Sequence, residues 1–361
     1  MTNKPSTFVA IGLMSGTSLD GLDLVCCRFT KHQKAWKYEV LAWKELSYNA
    51  HWQQSLSDAF SMNQTALQEL DVAFGTFLGQ QTRLFINEFN LQPDLVCSHG
   101  HTVFHRPAEK VSLQIGEGQS LANACGLLTI NNFRQADVLK GGHGAPLVPI
   151  GDRLLFGDFD VCLNIGGIAN LSFEQNGQRI AWDIAPANMV LNHLANKLGL
   201  PYDKDGNQAA SGRVNQKLVE QLDDLQYFKD MHPKSLGREW VEQIYFPLVL
   251  ASDLEVVDLL ATCTHQIAGQ IAAATSGFAT GKILVTGGGA YNKTLINRLR
   301  AISAHEIIIP DEVTIKMKEA IVFALLGVLR FRGEINCLSS VTGAESDSST
   351  GDIYHALDQN S

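Results

Sequence analysis

The chain has 361 residues, 45% of them hydrophobic and 18% charged, with 31 glycines; this exceeds what one hydrophobic core ordinarily organises and excludes the disordered and fibrous classes. A formal charge of −9 argues against nucleic-acid binding, where affinity comes from Lys and Arg neutralising phosphates, but it allows a small anion held by backbone donors. Seven scattered cysteines, none spaced C-x-x-C, disfavour a disulfide framework and a zinc knuckle.

The stretch Met1 to Thr7 lacks the apolar region of a signal peptide. No run approaches the roughly 18 apolar residues of a membrane span, so a cytoplasmic protein with no membrane partner is expected. Phe8 to Met14 reads as a strand, Ser15 to Gly21 as a loop ending in a Leu-Asp-Gly turn, and Leu22 to Phe29 as the returning strand. Ala50 to Asn90 turns helical, with Leu67, Leu70, Val72, Phe74, Phe77 and Leu78 near helical spacing. A strand is expected at Asp94 to Ser98, followed by the polar turn His99-Gly100-His101, a helix at Leu121 to Cys125 and a strand at Leu127 to Asn131.

Asn132 to Pro149 is punctuated by Gly and Pro and reads as a loop; a domain boundary is placed there, giving domains 1–131 and 132–361, with the last residues packing back on the first. Strands follow at Val161 to Ile165, Ala169 to Phe173 and Arg179 to Asp183, then a helix from Asn188 to Leu198. Val256 to Thr275 is a long helix, Lys282 to Thr286 a strand, and Lys293 opens another helix. Glu319 to Phe331 reads as a buried helix opened by Lys318 and Glu319, and Thr342 to Ser361 as a partly loose tail.

Three glycine-rich turns carry the chemistry. Phosphates are held without a P-loop when two hairpin turns present backbone N–H groups to them. The first candidate is Gly16, Thr17, Ser18, Leu19, Asp20, Gly21, Leu22 and Asp23, with Asp20 placed to hold Mg²⁺ directly or through water. The second is Gly166 and Gly167 within Asn164 to Asn170. Each alone is an ordinary hairpin turn; the matching strand–turn–strand flanks point to phosphate. The third, Gly287, Gly288 and Gly289, joins a strand to a helix, where a nucleotide lies close to the main chain. It fits neither G-x-G-x-x-G nor the P-loop pattern.

At these residues a resemblance becomes specific. GLMSGTSLDGLD (12–23), SHGHTVFH (98–105), LQIGEG (113–118), FRQADVLKGGHGAPLVP (133–149), LNIGGIANLS (163–172), PKSLGRE (233–239), VTGGGAYN (285–292) and SVTGA (340–344) span nearly the whole chain. In order and content they resemble the motifs of the anhydro-N-acetylmuramic acid kinases of bacterial cell-wall recycling. The resemblance implies an α/β, two-domain actin-like ATPase of ribonuclease H-like fold with its active site in the interdomain cleft. It implies ATP and Mg²⁺ as cofactors and a sugar, 1,6-anhydro-N-acetylmuramic acid, as partner.

Asp183 matches the family's catalytic base; the alternative for it is a helix N-cap. The family's Asp-Thr-Gly-Pro-Gly-Asn is here Asp183-Ile184-Ala185-Pro186-Ala187-Asn188, and His101 and His143 stand where relatives carry Gln. The alanine methyls are expected where a ligand would contact backbone. His99, Arg134, Asp137, Asn188 and Glu319 are candidate sugar-site residues. Arg134 suits the carboxylate of a muramic acid, the alternative being an ion pair between Arg134 or Asp137 and the other domain. Cys97, His99, His101 and His105 come from one short segment and make a poor metal cage. A kinase for a different sugar and an ATP-binding sugar sensor without turnover are the alternative functions, and a homodimer is the base-rate oligomer.

Overall fold

The computed structural model describes residues 6–16, 19–33 and 35–357. Packing divides the chain into two compact units, Met1–Leu155 with Met317–Ser361, and Phe156–Lys316. The first break therefore falls after Leu155 and not after residue 131. The reason lies in the segment that follows residue 131: the Asp137 carboxylate accepts hydrogen bonds from Gly144 N, Thr342 Oγ1 and Cys337 Sγ, which ties that loop to the end of the chain inside the first unit.

In the first unit the strands are β1 (Thr7–Ser15), β2 (Gly21–His32), β3 (Ala35–Ser47), β4 (Leu95–Ser98), β5 (His101–Arg106), β6 (Val111–Ile115) and β7 (Thr129–Asn131). The second unit holds β8 (Val161–Ile165), β9 (Ile168–Gln175), β10 (Gln178–Pro186), β11 (Lys282–Thr286) and β12 (Glu306–Ile308), and β13 (Asp352–Tyr354) returns to the first. The sheet orders are β13-β7-β4-β1-β2-β3 and β10-β9-β8-β11-β12; β5 and β6 form a separate hairpin. In both sheets three antiparallel strands are followed by two parallel ones. This is the ribonuclease H-like arrangement laid down twice, the actin-like ATPase fold.

Burial explains which strands are central. β1, β4, β8 and β11 are almost continuously buried, as strands covered on both faces must be. β3 lies at an edge, carries Lys37, Glu39, Lys44 and Glu45 and alternates in exposure, which discourages edge-to-edge pairing. The second unit's core runs from Val161 and Leu163 through Val190, Leu194, Leu260 and Ile267 to Val285.

The last long helix begins at Glu312, not near residue 318, so Lys318 and Glu319 lie within it. From Met317 to Leu329 every residue but Glu319 is buried. A Cβ on Gly12 would collide with the Ala320 carbonyl, and one on Gly327 with Cys97 Sγ, so two glycines let this helix lie directly on β1 and β4. The Lys318–Asp152 ion pair (2.7 Å) is buried beside it. The tail, expected to be partly loose and to pack back on the first domain, adds β13 to β7 through residue 354.

Candidate active site

In the second unit the β8–β9 turn, the start of the helix Asn188–Asn196 and the Gly287–Gly289 segment converge. Asn188 N and Met189 N donate to the carbonyls of Gly166 and Gly167 (both 3.1 Å), and Asn188 Nδ2 donates to Ile165 O (3.1 Å). The glycines divide into two kinds. A Cβ on Gly287 would meet Asn164 Oδ1 at 2.5 Å, and one on Gly289 would collide with Ile165 Cγ2; their absence is required by packing, and Gly287 also has φ +79°. A Cβ on Gly166, Gly167 or Gly288 would meet nothing closer than 3.4 Å, 3.8 Å and 3.4 Å respectively. Packing does not explain those three, and they leave main chain open to a flat or anionic ligand.

Asp183 lies on β10 where the register with β9 shifts between Asp183 and Ala185. Such a bulge re-aims the neighbouring side chain. The N-cap of the following helix is Ala187, so Asp183 is not a helix cap. Its Oδ2 accepts from Leu236 N (2.8 Å) and Ser235 Oγ (3.1 Å), and among the described residues its Oδ1 has no protein hydrogen-bond partner. Burial pushes its carboxyl above the usual carboxylate range, opposed by the bonds from Leu236 and Ser235. A half-buried carboxylate with one oxygen pinned and one open is suited to accept a proton.

The departures from the family pattern beside it prove internal. Ile184, Ala185 and Ala187 are 3%, 0% and 0% exposed and belong to the core of the second unit. The alanine methyls therefore fill protein and do not stand in a ligand's way.

In the first unit Thr17 and Ser18 lie outside the described residues. Leu19 has φ +59° and packs on the core, and Leu22 is fully buried. A Cβ on Gly21 would collide with Leu46 O. Gly16 and Asp23 are half-buried and Asp20 is exposed at the turn; Asp20 O accepts from Tyr48 N (3.2 Å). The oxygen donors of Asp20 and Asp23 suit Mg²⁺, which is held by one or two carboxylates together with phosphates and waters. Among the described residues no group of three or more His, Cys, Asp or Glu is placed to hold a metal ion.

His99 and Arg134 form a second constellation. Arg134 Nε and Nη2 donate to His99 Nε2 (3.1 and 2.8 Å), and Nη1 donates to Gly144 O (2.8 Å). With Nε2 accepting, the proton of His99 sits on Nδ1 and is donated to Gly100 O (2.9 Å). Burial and the Arg134 charge together hold His99 neutral, its pKa pushed down to about 3. Three of the five guanidinium N–H groups are thereby used, leaving one on each terminal nitrogen for a carboxylate. Glu319 favours the Arg134 charge.

Asp137 is 0% exposed, and its three hydrogen bonds occupy both oxygens; no ion pair joins it to Arg134 among the described residues. His101 is buried with Nδ1 3.4 Å from Ser15 Oγ, and His143 is exposed. The sequence carries no local signal that brings Tyr227, Ser235 and Leu236 to Asp183. Only the PKSLGRE stretch marked that segment.

No helix among the described residues is long and apolar enough to cross a membrane. The profile of the anhydro-N-acetylmuramic acid kinase family matches residues 8–356. An anhydro-N-acetylmuramic acid kinase of Vibrio cholerae is 34% identical, the match covering 96% of this chain and 98% of the relative. One of Caldanaerobacter subterraneus is 30% identical over 95% of this chain and 96% of the relative. A solved structure, component A of (R)-2-hydroxyglutaryl-CoA dehydratase from Acidaminococcus fermentans, aligns with TM-score 0.46 at 13% identity, over 88% of this chain and 96% of that one.

Proposed function

The chain belongs to the anhydro-N-acetylmuramic acid kinase family, and we propose that it opens 1,6-anhydro-N-acetylmuramic acid with water and phosphorylates O6 from ATP. The product is N-acetylmuramic acid 6-phosphate, returned to metabolism from peptidoglycan. The observation that carries this reading is Asp183, held through Oδ2 with Oδ1 open on the strand that leads to the Asn188 helix. A sugar hydroxyl ordinarily loses its own proton to such a base. In the anhydro sugar O6 is tied to C1 and has no proton to give, so the base acts on water.

Asp183 Oδ1 takes a proton from water as the water oxygen bonds to C1; the C1–O6 bond breaks and its electron pair stays on O6. O6 then bonds to the γ-phosphorus while the bond to the β,γ-bridging oxygen breaks, leaving ADP, and the proton on Asp183 passes to solvent. We assign the nucleotide to Gly166, Gly167 and Gly287 to Gly289 and to the turn Gly16 to Asp23. Asn188 holds the turn that presents Gly166 and Gly167. The end-on N–H pair of Arg134 is assigned to the lactyl carboxylate, with His99 fixing the guanidinium and Glu319 to a sugar hydroxyl. Mg²⁺, on Asp20 and Asp23, would offset the charge that builds on the transferring phosphoryl group.

The test is product analysis with anhydro-muramic acid, glucosamine and glucose derivatives as acceptors. The 6-phosphate is expected from the anhydro sugar, and Asp183→Asn is expected to lower kcat by about 10²- to 10⁴-fold. Transfer to a different sugar only, or ATP binding without any sugar phosphate, would replace this reading with one of its alternatives.

A further inference from the structure

The segment after residue 231 is built around Asp183. His232 stacks on Trp182 (centroids 4.1 Å, 18°), and Asp183 N donates to Lys234 O (3.0 Å). Tyr227 Oη donates to Asp183 O (2.6 Å). Lys234 Nζ donates to Tyr227 O (2.5 Å) and lies 4.5 Å from the centre of its ring. The main chain of Asp183 is thus clamped on both sides, and the two remaining contacts, from Leu236 N and Ser235 Oγ, go to a single carboxylate oxygen.

Two donors on one oxygen do more than hold a rotamer. They place the lone pairs of Oδ2 out of use and leave Oδ1 as the oxygen able to take a proton. We propose that Ser235 is a positioning residue for the base: its hydroxyl, with the Leu236 amide, selects Oδ1 of Asp183 as the proton-accepting atom and keeps the carboxylate ionised at the working pH. This rests on the assignment of Asp183 as the base.

The titratable groups on the surrounding elements are few. Tyr227 binds the carbonyl and not the carboxylate, Lys234 is directed to Tyr227 O and Asp230 O, and His232 is stacked on Trp182. None of them makes a hydrogen bond to either carboxylate oxygen. The sign follows: a donor to the ionised form lowers a carboxyl pKa, so removing the Ser235 hydroxyl raises the pKa of Asp183 further. Because Ser235 is exposed, solvent screens part of the effect, and a rise of about 0.5–1 pH unit is expected.

The experiment is a ¹³C titration of the Asp183 carboxyl in the full chain, read by NMR in the wild type, Ser235→Ala and Ser235→Thr, with Asp183→Asn to assign the signal. Ser235→Ala is expected to move the midpoint up by that amount and to shift the acid limb of kcat by the same interval. Ser235→Thr is expected to restore both. An unmoved midpoint in Ser235→Ala, or a loss of kcat equal at every pH, overturns the inference. The titration needs no turnover, so a wild type that makes no sugar phosphate would count against Asp183 as base while the midpoints still judge the role of Ser235.

Discussion

Asp183 and the glycines show how far single residues disclose their roles. The carboxylate was located in the sequence only by resemblance, because an Asp ahead of a helix reads equally well as a cap. What separates the two readings is a bulge at residues 183–185 and a loop more than fifty residues downstream, and neither has a local pattern. The glycines behave in the opposite way: the sequence marks all of Gly287, Gly288 and Gly289 alike, and only packing tells them apart. Gly288→Ala is expected to fold as the wild type does and to weaken ATP binding by roughly 10- to 100-fold, the cost of one obstructing methyl. Gly289→Ala, whose methyl would collide with Ile165, is expected to lose about 1–3 kcal/mol of stability instead. Calorimetry for binding and thermal unfolding for stability read the two effects separately; unchanged ATP affinity in Gly288→Ala would remove that glycine from the nucleotide site.

Among the elements, the buried strands were readable and the amphipathic or distant ones were not. β8 and β11 follow from continuous apolar runs. β3 leaves no clear sequence signal because its charged, half-exposed alternation lacks an apolar run, and β13 leaves none because three polar-flanked residues pair with a strand over two hundred positions earlier. The helix Glu312–Arg332 was read from its buried half alone. That helix decides what can fold separately. Residues 156–316 are continuous and carry their own core, so this fragment is expected to unfold cooperatively by itself. Residues 1–155 lack the helix that covers β1 and β4; burying each of its large apolar side chains is worth about 1.5–3 kcal/mol, and the fragment is expected to remain without stable structure. Amide exchange on the two fragments checks this, and native-like protection in 1–155 would contradict it.

At the scale of the whole molecule, two copies of one sheet topology each end their leading hairpin in a glycine-bearing turn, and this repetition was visible as the recurrence of strand–turn–strand near residues 10 and 163. The fold class thus followed from the order of the glycine-rich turns and the family resemblance they carry, while the base's loop did not. The chemistry assigned to the molecule differs from that of an ordinary sugar kinase in one respect: water, not a sugar hydroxyl, is the group activated. The direct test is turnover of anhydro-muramic acid and ATP in H₂¹⁸O, quenched early, with unlabelled product incubated alongside to measure exchange at C1. The account expects one ¹⁸O at C1 above that background and none in the phosphate ester; ¹⁸O in the phosphate, or none at C1 beyond exchange, would contradict it.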